Sequence, residues 1–477
     1  MEMKCDLDCQ SVRQILKQHG QMHLLDFYDG LDEDKRTQLL HQIRQLDFSV
    51  MSEWIEKYVR RDVALSVPET LNPAPFYPAA GQASKQDRYQ EAVKYGSNLL
   101  AAGKVAGFVV AGGQGTRLGF EGPKGDFPVS PIRSKTLFRL FAETILAAGR
   151  KYGTTPAWYV MTSPLNHEAT VELFESNDYY GLARSDVFLF QQGTNPNFSF
   201  DGKILLADKG TLSTSPDGHG GSLKALYRSG AIEDMKKRGV EYISYWQIDN
   251  PLIHIFDPLF IGLHAMDGAE MSSKALIKAH PTEKVGNFCL VDGRVTVIEY
   301  SDLSDEQASR RNPDGSLVFE LGSIAIHIIN RTFVEKLNAQ GFALPIHRAV
   351  KKIPHIDEAG NLVEPRKPNG VKLETFIFDA LPLAERSIIL ETLRQEEFAP
   401  VKNATGDDSP EVTRRMMIER AANWIEAAGV KVPRKEDGSP DCTLEIAPSF
   451  ALTKEDLAGR LDERLPVINP GVIVYLE

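Results

Sequence analysis

The sequence lacks several features that would place the chain in a specialised class of protein. It has only 4 cysteines among 477 residues, too few and too scattered for a disulfide framework. No apolar stretch approaches the roughly 18 to 20 residues that a membrane-spanning helix needs. Residues 1–10 are acidic and do not contain the apolar core of a secretory signal. We therefore expect a cytoplasmic protein with no membrane partner.

Positive charge is also in short supply. The chain has 54 lysines and arginines against 65 aspartates and glutamates, a net charge of -11, which argues against general electrostatic binding to nucleic acid. Hydrophobic residues make up 42% and charged residues 25% of the chain, as in ordinary globular proteins. The composition predicts a folded protein in which any phosphate site is local.

The length leaves room for roughly two to four domains at about 150 residues each. Apolar residues recur at helical spacing over residues 11–63, and the prolines of residues 68–78 predict an extended linker. We assign residues 1–100 to a helical N-terminal domain and linker, residues 101–400 to a large central domain, and residues 401–477 to a small C-terminal α/β domain.

Beyond residue 95, short runs rich in Val, Ile, Phe and Tyr alternate with amphipathic stretches, a pattern typical of α/β domains. Helices are predicted at residues 136–151 and 411–428, and a hairpin at residues 289–300. The predicted strands span residues 106–110, 157–162, 187–191, 242–248 and 275–278.

A glycine-rich loop follows the first of these strands. The strand leads directly into Gly112, Gly113 and Gly115, so that backbone N–H groups can approach an anion with no Cβ in the way. The loop is not a Walker A motif, because no Gly-Lys-Ser/Thr follows it. It is not the dinucleotide fingerprint G-x-G-x-x-G either, because Gly113, Gly115 and Gly119 are spaced G-x-G-x-x-x-G.

Cations follow the glycines closely. Arg117 and Lys124 lie just beyond them, and residues 101–136 carry five basic residues against two acidic ones. Local positive charge in an acidic chain suits a polyphosphate. A tight strand-to-helix turn with solvated charges would have a similar composition, but the combination of strand, glycines and cations favours a nucleotide site.

The glycine-rich loop and the cations beyond it resemble the motif of a known family. The string Ala111-Gly-Gly-Gln-Gly-Thr-Arg-Leu-Gly119 with Pro123-Lys124-Gly125 resembles the signature loop of the UDP-sugar pyrophosphorylases (UDPGP-type uridylyltransferases), closest to the eukaryotic-type UDP-N-acetylhexosamine pyrophosphorylases. Further matching strings include Phe190-Gln-Gln-Gly193, Ser215-Pro-Asp-Gly-His-Gly-Gly221, Ile248-Asp-Asn250, Pro281-Thr-Glu-Lys-Val-Gly286, Val297-Ile-Glu-Tyr300, Lys367-Pro-Asn-Gly-Val-Lys372 and Phe398-Ala-Pro-Val-Lys-Asn403. The resemblance implies an α/β fold with a Rossmann-like, mixed β-sheet nucleotidyltransferase core of the GT-A-like kind.

The same resemblance implies a UTP site. In it Gln192 recognises the uracil ring, Gly218 packs against the uracil or ribose, and Lys372 binds the UTP phosphates. The implied nucleotide-binding residues are Val110, Ala111, Gly112, Gly113, Lys124, Gln192, Gly218, Asp249 and Lys372.

Asp249 is also a candidate on its own chemistry. It ends the apolar run of residues 242–248, at the carboxyl end of a predicted strand, where ligands bind in open α/β sheets. A lone carboxylate there suits Mg²⁺, which usually takes one or two carboxylates and completes its shell with phosphate oxygens and water. A helix-capping aspartate is the alternative. The resemblance implies that Asp249 holds Mg²⁺ on the nucleotide phosphates.

The resemblance implies a sugar site as well, made of His219, Glu299, Tyr300, Ser323 and Lys402. Glu299 and Tyr300 match the sugar-contacting pair of the family, and Lys402 binds the sugar phosphate. His219 and Ser323 both stand where the family usually has an asparagine that contacts the sugar. The sequence therefore departs from the family at the sugar site and not at the nucleotide site.

The implied reaction joins UTP to a sugar 1-phosphate and releases pyrophosphate, with Arg117, Lys124 and Lys402 as catalytic residues. N-acetylglucosamine 1-phosphate is the first choice of sugar, with glucose, galactose or GalNAc 1-phosphate as alternatives. A non-catalytic nucleotide-sugar-binding regulator is a second class of function. A nicotinamide-dependent oxidoreductase is disfavoured by the glycine spacing. The sequence leaves a monomer and a homodimer equally open.

Overall fold

The computed structural model describes residues 2–61, 70–79, 85–342, 344–461 and 467–477. The α-helices are α1 Glu2–Gln18, α2 Glu33–Arg44, α3 Phe48–Trp54, α4 Gln86–Ala101, α5 Leu137–Tyr152, α6 His167–Ser176, α7 Gly221–Arg228, α8 Ala231–Arg238, α9 Pro258–Met266, α10 Asp305–Ala308, α11 Arg331–Asn338, α12 Arg394–Glu397, α13 Pro410–Ala427 and α14 Lys454–Arg460.

The strands β1 to β10 are Asn72–Pro73, Val105–Val110, Trp158–Thr162, Val187–Gln191, Thr194–Pro196, Phe198–Ser199, Leu206–Asp208, Thr211–Leu212, Thr214–Pro216 and Tyr242–Gln247. The strands β11 to β21 are Met271–Ile277, Gly286–Val291, Arg294–Ile298, Leu321–Asn330, His347–Lys351, His355–Ile356, Leu362–Val363, Gly370–Glu374, Ile389–Glu391, Thr443–Ile446 and Ile473–Leu476.

The chain divides into two compact units. The smaller comprises Met1–Ser66, Gly193–Gly221 and Leu344–Ile377, and the larger comprises Val67–Gln192, Ser222–Ala343 and Phe378–Glu477. Each unit is therefore assembled from segments that are far apart in sequence.

The larger unit is built on a mixed sheet of 10 strands, with the path β1-β12-β14-β10-β2-β3-β4 and with β11, β13 and β19 attached to it. Strands β10, β2, β3 and β4 are parallel neighbours, whereas β14 runs antiparallel to β10. All six residues of β2 and all five of β3 are buried, as expected for parallel strands that are covered on both faces. This arrangement confirms the predicted α/β fold with a mixed sheet.

Helices pack against this sheet through specific sequence features. Helix α5 begins at the Thr136 side chain, which accepts a hydrogen bond from the Arg139 N–H and so satisfies one of the free donors of the first turn. Helices α4 and α9 approach so closely that a Cβ added at Gly96 would lie 2.0 Å from the Pro258 carbonyl oxygen. A larger residue at Gly96 would therefore separate the two helices.

The predicted elements agree with the structure except at one place. The strands, the 136–151 and 411–428 helices and the 289–300 hairpin are confirmed with ends shifted by a few residues, since ends fray. The segment predicted as a plain linker differs: β1 pairs with Leu290 and Cys289 of β12, and the Tyr77 N–H donates to the Ile389 carbonyl. An extended, proline-rich strand is tolerated at this edge of the sheet. Residues 62–69 of that segment lie outside the described residues.

The C-terminal residues have a small core of their own, around Ala422, Ile425 and Leu444, in which parallel β20 and β21 pack beside α13. The smaller unit has another core, in which α1 to α3 pack against β6 and β18. The cysteine side chains described, Cys9, Cys289 and Cys442, are free thiols. Across the part of the chain that the structure describes, no helix is both long and apolar enough to cross a membrane.

Candidate functional site

Three predicted site segments lie at one edge of the large sheet. Ala111 follows β2, Asp249 follows β10 and Gln192 follows β4, and these strands belong to one parallel set. The carboxyl ends of parallel strands meet at the same edge, which is where ligands bind in open α/β sheets. The first residue of the loop after β2 is still paired with β3, because the Ala111 N–H donates to the Met161 carbonyl over 2.7 Å.

The glycine-rich loop passes close to the strand ends. A Cβ at Gly112 would lie 3.2 Å from Gln192 Oε1 and 3.3 Å from the Ser163 Cβ, so only glycine leaves this contact unstrained. Gly113 is more open, since a Cβ there would meet only the Lys124 Cδ at 3.8 Å. Val110 and Ala111 are buried, and Gln192 is 8% exposed. The structure therefore brings the predicted uracil-binding glutamine against the glycine loop.

Asn166 is a residue that the sequence analysis missed. Its side-chain amide donates to the carbonyls of Ala111 over 2.9 Å and Gly113 over 3.2 Å, and its Oδ1 accepts from the Ser163 N–H over 2.8 Å. The side chain is 1% exposed. Asn166 thus sets the course of the glycine loop. The available sequence signal was an asparagine directly before a helix, which by itself indicates only a cap.

We predict that Asn166→Asp weakens UTP binding by about tenfold or more. The substitution replaces a donor to two carbonyls by an acceptor, and a buried polar group left unsatisfied costs about 1 to 3 kcal/mol. The measurement is the KM for UTP, or the UTP-induced rise in melting temperature. Asn177→Asp on the exposed end of α6, whose amide donates to Leu173, is the matched control. An unchanged KM for UTP in Asn166→Asp would contradict the prediction.

Lys124 lies beside the Asp249 carboxylate. Lys124 Nζ lies 3.6 Å from Asp249 Oδ2, with side chains 14% and 17% exposed. Burial lowers the pKa of the Lys124 ammonium; Asp249 opposes this effect, and the charges of Lys402 and Arg117 lower the pKa further. Lys402 also lies 3.7 Å from Asp408, so positive charge from three side chains acts near Lys124, as a site for a polyphosphate requires.

Lys402 reaches this cluster because its segment is attached to the Asp249 turn. The Val401 N–H donates to the Asp249 carbonyl over 2.8 Å. The Asn250 side chain donates to the Glu397 carbonyl over 2.6 Å and accepts from the Ala399 N–H over 3.1 Å. Asn250 is buried, so these bonds are shielded from water and fix the segment that carries Lys402.

The Asp249 carboxylate fits an Mg²⁺ site in which the substrate supplies other ligands of the ion. Its carboxylate meets Lys124 only at 3.6 Å, longer than a hydrogen bond, and so keeps lone pairs for other partners. Among the residues described, no group of three or more His, Cys, Asp or Glu side chains could hold a metal. Mg²⁺ commonly takes one or two carboxylates and adds phosphate oxygens and water, a donor set to which this turn would contribute one carboxylate.

The predicted sugar residues of the larger unit gather around Gly286. A Cβ at Gly286 would lie 3.6 Å from Glu299 Oε1 and 3.8 Å from the Ser323 Cβ, because Ser323 of β14 pairs with Gly286 of β12. Tyr300 follows Glu299 at the end of the hairpin and is 44% exposed. Two strands and a hairpin thus place a carboxylate and a hydroxyl, groups that can hydrogen-bond sugar hydroxyls, near Gly286, where the nearest side-chain atom is Val297 Cγ1.

The remaining predicted residues belong to the smaller unit. Gly218 has φ +85°, and a Cβ there would lie 2.2 Å from the Thr375 carbonyl oxygen, so this turn requires glycine. The Thr375 N–H donates to the Asp217 carbonyl over 2.8 Å. Thr375 directly follows β18, which carries Lys372. The turn with Gly218 is therefore held against the end of the strand with Lys372.

His219 lies in the same turn. Its Nδ1 accepts from the Ile377 N–H over 3.1 Å, and its ring stacks on Phe376 with centroids 5.2 Å apart. Burial, and secondarily His347, lowers the pKa of His219 to about 4, so the ring is neutral at pH 7. Because Nδ1 is the acceptor, the proton is on Nε2. His219 is thus a neutral donor, whereas the expected asparagine could donate and accept.

Comparisons with known proteins point to one family. The family model for UTP–glucose-1-phosphate uridylyltransferase matches residues 77–455. A human UDP-N-acetylhexosamine pyrophosphorylase-like protein 1 is 37% identical over 490 residues, covering 95% of each chain. An Arabidopsis thaliana UDP-N-acetylglucosamine diphosphorylase 2 is 36% identical over 88% of this chain and 85% of its own.

A solved structure is also similar. The uridine diphosphate N-acetylglucosamine pyrophosphorylase from Trypanosoma brucei, in complex with inhibitor, superposes with a TM-score of 0.83 at 25% identity and covers 98% of each chain. The fold, the motifs and the extent of these matches lead to one conclusion: the chain belongs to the UTP–glucose-1-phosphate uridylyltransferase (UDPGP) family.

Proposed function

We propose that this protein is a uridylyltransferase that joins UTP and N-acetylglucosamine 1-phosphate to give UDP-N-acetylglucosamine and pyrophosphate. The observation that carries the proposal is Lys124 beside Asp249 at the carboxyl edge of the sheet, with the charges of Lys402 and Arg117 acting on Lys124. Membership of the family and relatives named as UDP-N-acetylglucosamine enzymes support it. A cytoplasmic location and a monomer or homodimer remain part of the proposal.

The reaction requires the protein to hold two polyanions close together. A phosphate oxygen of the sugar 1-phosphate attacks the α-phosphorus of UTP, and the bond from that phosphorus to pyrophosphate breaks. The nucleophile is already ionised near pH 7, so positioning and charge neutralisation are the main tasks. In this proposal Arg117 and Lys124 neutralise the leaving pyrophosphate, Lys372 binds the UTP phosphates, and Lys402 orients the attacking phosphate.

Asp249 would hold Mg²⁺ in the same proposal. When bound, the ion would neutralise phosphate charge as a Lewis acid. Lys124, 3.6 Å from that carboxylate, would keep it oriented toward the phosphates. The uracil would meet Gln192 and the glycine loop, where selectivity for UTP arises from the amide of Gln192, an acceptor and a donor in one side chain.

The decisive experiment is pyrophosphate release from UTP and Mg²⁺ with the 1-phosphates of N-acetylglucosamine, GalNAc, glucose and galactose. We expect release with N-acetylglucosamine 1-phosphate and little with the others. Preference for another of these sugars would keep uridylyl transfer and change the substrate. UTP binding without pyrophosphate release from any sugar would overturn the enzyme and favour the nucleotide-binding regulator.

Sugar preference gives a second prediction. Ser323→Asn is expected to shift the kcat/KM ratio of N-acetylglucosamine 1-phosphate over glucose 1-phosphate upward by about fivefold, since one added hydrogen bond contributes about 1 kcal/mol. The longer amide would extend from β14 beside Gly286 and Glu299 toward the acetamido group. The measurement is the ratio of kcat/KM values for the two sugars. Ser309→Asn, on the exposed end of α10, is the control; an unchanged ratio in Ser323→Asn would remove Ser323 from the sugar site.

A further inference from the structure

Two loops of the larger unit carry groups to which the proposed function gives roles. Loop A, residues 249–257, runs from Asp249 to Asp257, whose side chain accepts from the Leu259 N–H over 2.9 Å at the start of α9. Loop B, residues 396–402, comprises the last two residues of α12 and the segment that ends at Lys402. The hydrogen bonds of Asn250 and Val401 described above join the ends of the loops nearest the site. What holds the rest of the two loops together is a separate question.

A buried lysine joins the loops at their far ends. Lys274 lies on β11 with its side chain 1% exposed, and its Nζ is 2.7 Å from Asp257 Oδ2 of loop A. The same Nζ contacts Glu397 Oε1 of loop B, which also accepts from Thr392 Oγ1 over 3.1 Å. Burial by itself would lower the pKa of Lys274, but the two carboxylates outweigh it and raise the pKa. Lys274 therefore stays charged and bridges both loops.

A second cation bridges the same loops from the C-terminal segment. Arg420 on α13 donates through Nη1 to the Leu252 carbonyl of loop A over 2.7 Å and to the Glu396 carbonyl of loop B over 3.1 Å. One turn later, the Trp424 Nε1–H donates to Glu396 Oε2 over 2.8 Å. Burial lowers the pKa of Arg420 to about 10, so it too is charged at neutral pH.

We propose that Lys274 and Arg420 are positioning residues that hold loops A and B as one unit, so that Asp249 and Lys402 face Lys124 before substrate binds. The proposal rests on the proposed function for the roles of Asp249 and Lys402. The ion pairs and hydrogen bonds of the two cations go to Asp257, Leu252, Glu396 and Glu397, so they act on the reaction through the loops. Such preorganisation matters because a shift of about 1 Å costs about 100-fold in rate. The proposal also gives α13 a role at the site, because this helix carries Arg420.

The first measurement is hydrogen–deuterium exchange of the free, full-length chain. Arg420→Gln is expected to speed exchange in peptides covering loops A and B, because two carbonyls lose their donor and local opening becomes easier. Arg434→Gln is the matched control: its guanidinium lies in the same C-terminal segment and binds Glu419 and Glu426 of α13. Exchange in the two loops that is unchanged in Arg420→Gln would overturn the proposal, and it does so whether or not the protein is an enzyme.

The second measurement is kinetic. Arg420→Gln should lower kcat by about 10- to 100-fold with the KM for UTP changed by less than about threefold, and Arg420→Lys should recover part of the loss. In a Lys402→Ala background the further loss should be smaller, because part of the effect of Arg420 acts through Lys402 and residues that act through one another are not additive. Losses that simply multiply would indicate general destabilisation and overturn the positioning role.

Lys274→Met provides a second variant at the other bridge. It leaves Asp257 and Glu397 buried without their cation, so its folding is checked first by circular dichroism; if it unfolds, the Arg420 variants carry the test. A folded Lys274→Met should again speed exchange in both loops. A wild-type chain that releases no pyrophosphate would overturn the proposed function, and the exchange experiment would still decide whether the two cations hold the loops.

Discussion

Asp249→Asn is expected to lower kcat/KM for the uridylyl transfer by about 1,000-fold. The substitution keeps the shape of the side chain and the main-chain bond from Val401 to the Asp249 carbonyl, so the fold is retained. It removes the carboxylate that would ligate Mg²⁺ and that compensates the charge of Lys124 at 3.6 Å. Losing one preorganised charge at a reacting phosphate commonly costs about 10²- to 10³-fold, and losing the metal adds to this.

The measurement is steady-state pyrophosphate release over a range of Mg²⁺ concentrations. Asp292→Asn makes the same chemical change in the exposed turn between β12 and β13, where φ is +48° and asparagine is well tolerated. This control should retain wild-type activity. Activity of Asp249→Asn within about fivefold of wild type, with an unchanged dependence on Mg²⁺, would exclude Asp249 as the metal ligand.

Lys124→Ala is expected to reduce kcat/KM for UTP by about 10²- to 10³-fold, the effect of removing one charge that stabilises a transition state. Lys124 is the most enclosed of the three cations, with a side chain 14% exposed beside Asp249, so water screens its charge less than that of an exposed lysine. Lys135→Ala would remove an internal ion pair to Glu143 and is therefore a poor control. Lys236→Ala, on the exposed face of α8, is the better match.

The pH dependence of the same residue has a definite sign. Burial lowers the pKa of Lys124, and the neighbouring Lys402 and Arg117 lower it further against the opposing effect of Asp249. As the pH rises, Lys124 therefore loses its proton before an ordinary lysine with a pKa of about 10.4, and kcat/KM for UTP falls on the alkaline side. Lys124→Arg keeps its charge over this range, because arginine titrates above pH 12.

Comparing the pH profiles of wild type and Lys124→Arg tests this cause directly. The alkaline fall of the wild type should move to higher pH in the variant, even if Lys124→Arg is slower overall. If the two profiles fall at the same pH, another group is responsible for the alkaline limb. The comparison is independent of the absolute activity of either protein.

Much of the fold follows from local pattern in the sequence. The strands β2, β3 and β4 are short, mainly apolar runs, and the side-chain pattern alone locates them within one or two residues. The edge position of Asp249 follows from the same reasoning, because a carboxylate that ends an apolar strand has to lie where the sheet meets solvent. The UDPGP resemblance, carried by short ordered motifs, is confirmed by the family match.

Contacts between distant segments could not be predicted in this way. No periodicity indicates that the Ala399 N–H would donate to Asn250, or that Lys274 would join Asp257 to Glu397. These bonds form only when the sheet has brought strands far apart in sequence into register. The pairing of β1 with β12 was missed for the same reason, since proline density indicates an extended chain but not its partner.

The sequence by itself determined the chemical inventory: a glycine-rich loop, lysines and an arginine for phosphates, one carboxylate at a strand end, and a family resemblance. Those properties are local, because they depend on residue type and on neighbours along the chain. Tertiary structure alone decided that Asn166 shapes the glycine loop and that the segment carrying Lys402 is hydrogen-bonded to the Asp249 turn. A hydrogen bond needs its partners about 3 Å apart, and only the packed sheet sets such distances between residues separated by tens to hundreds of positions.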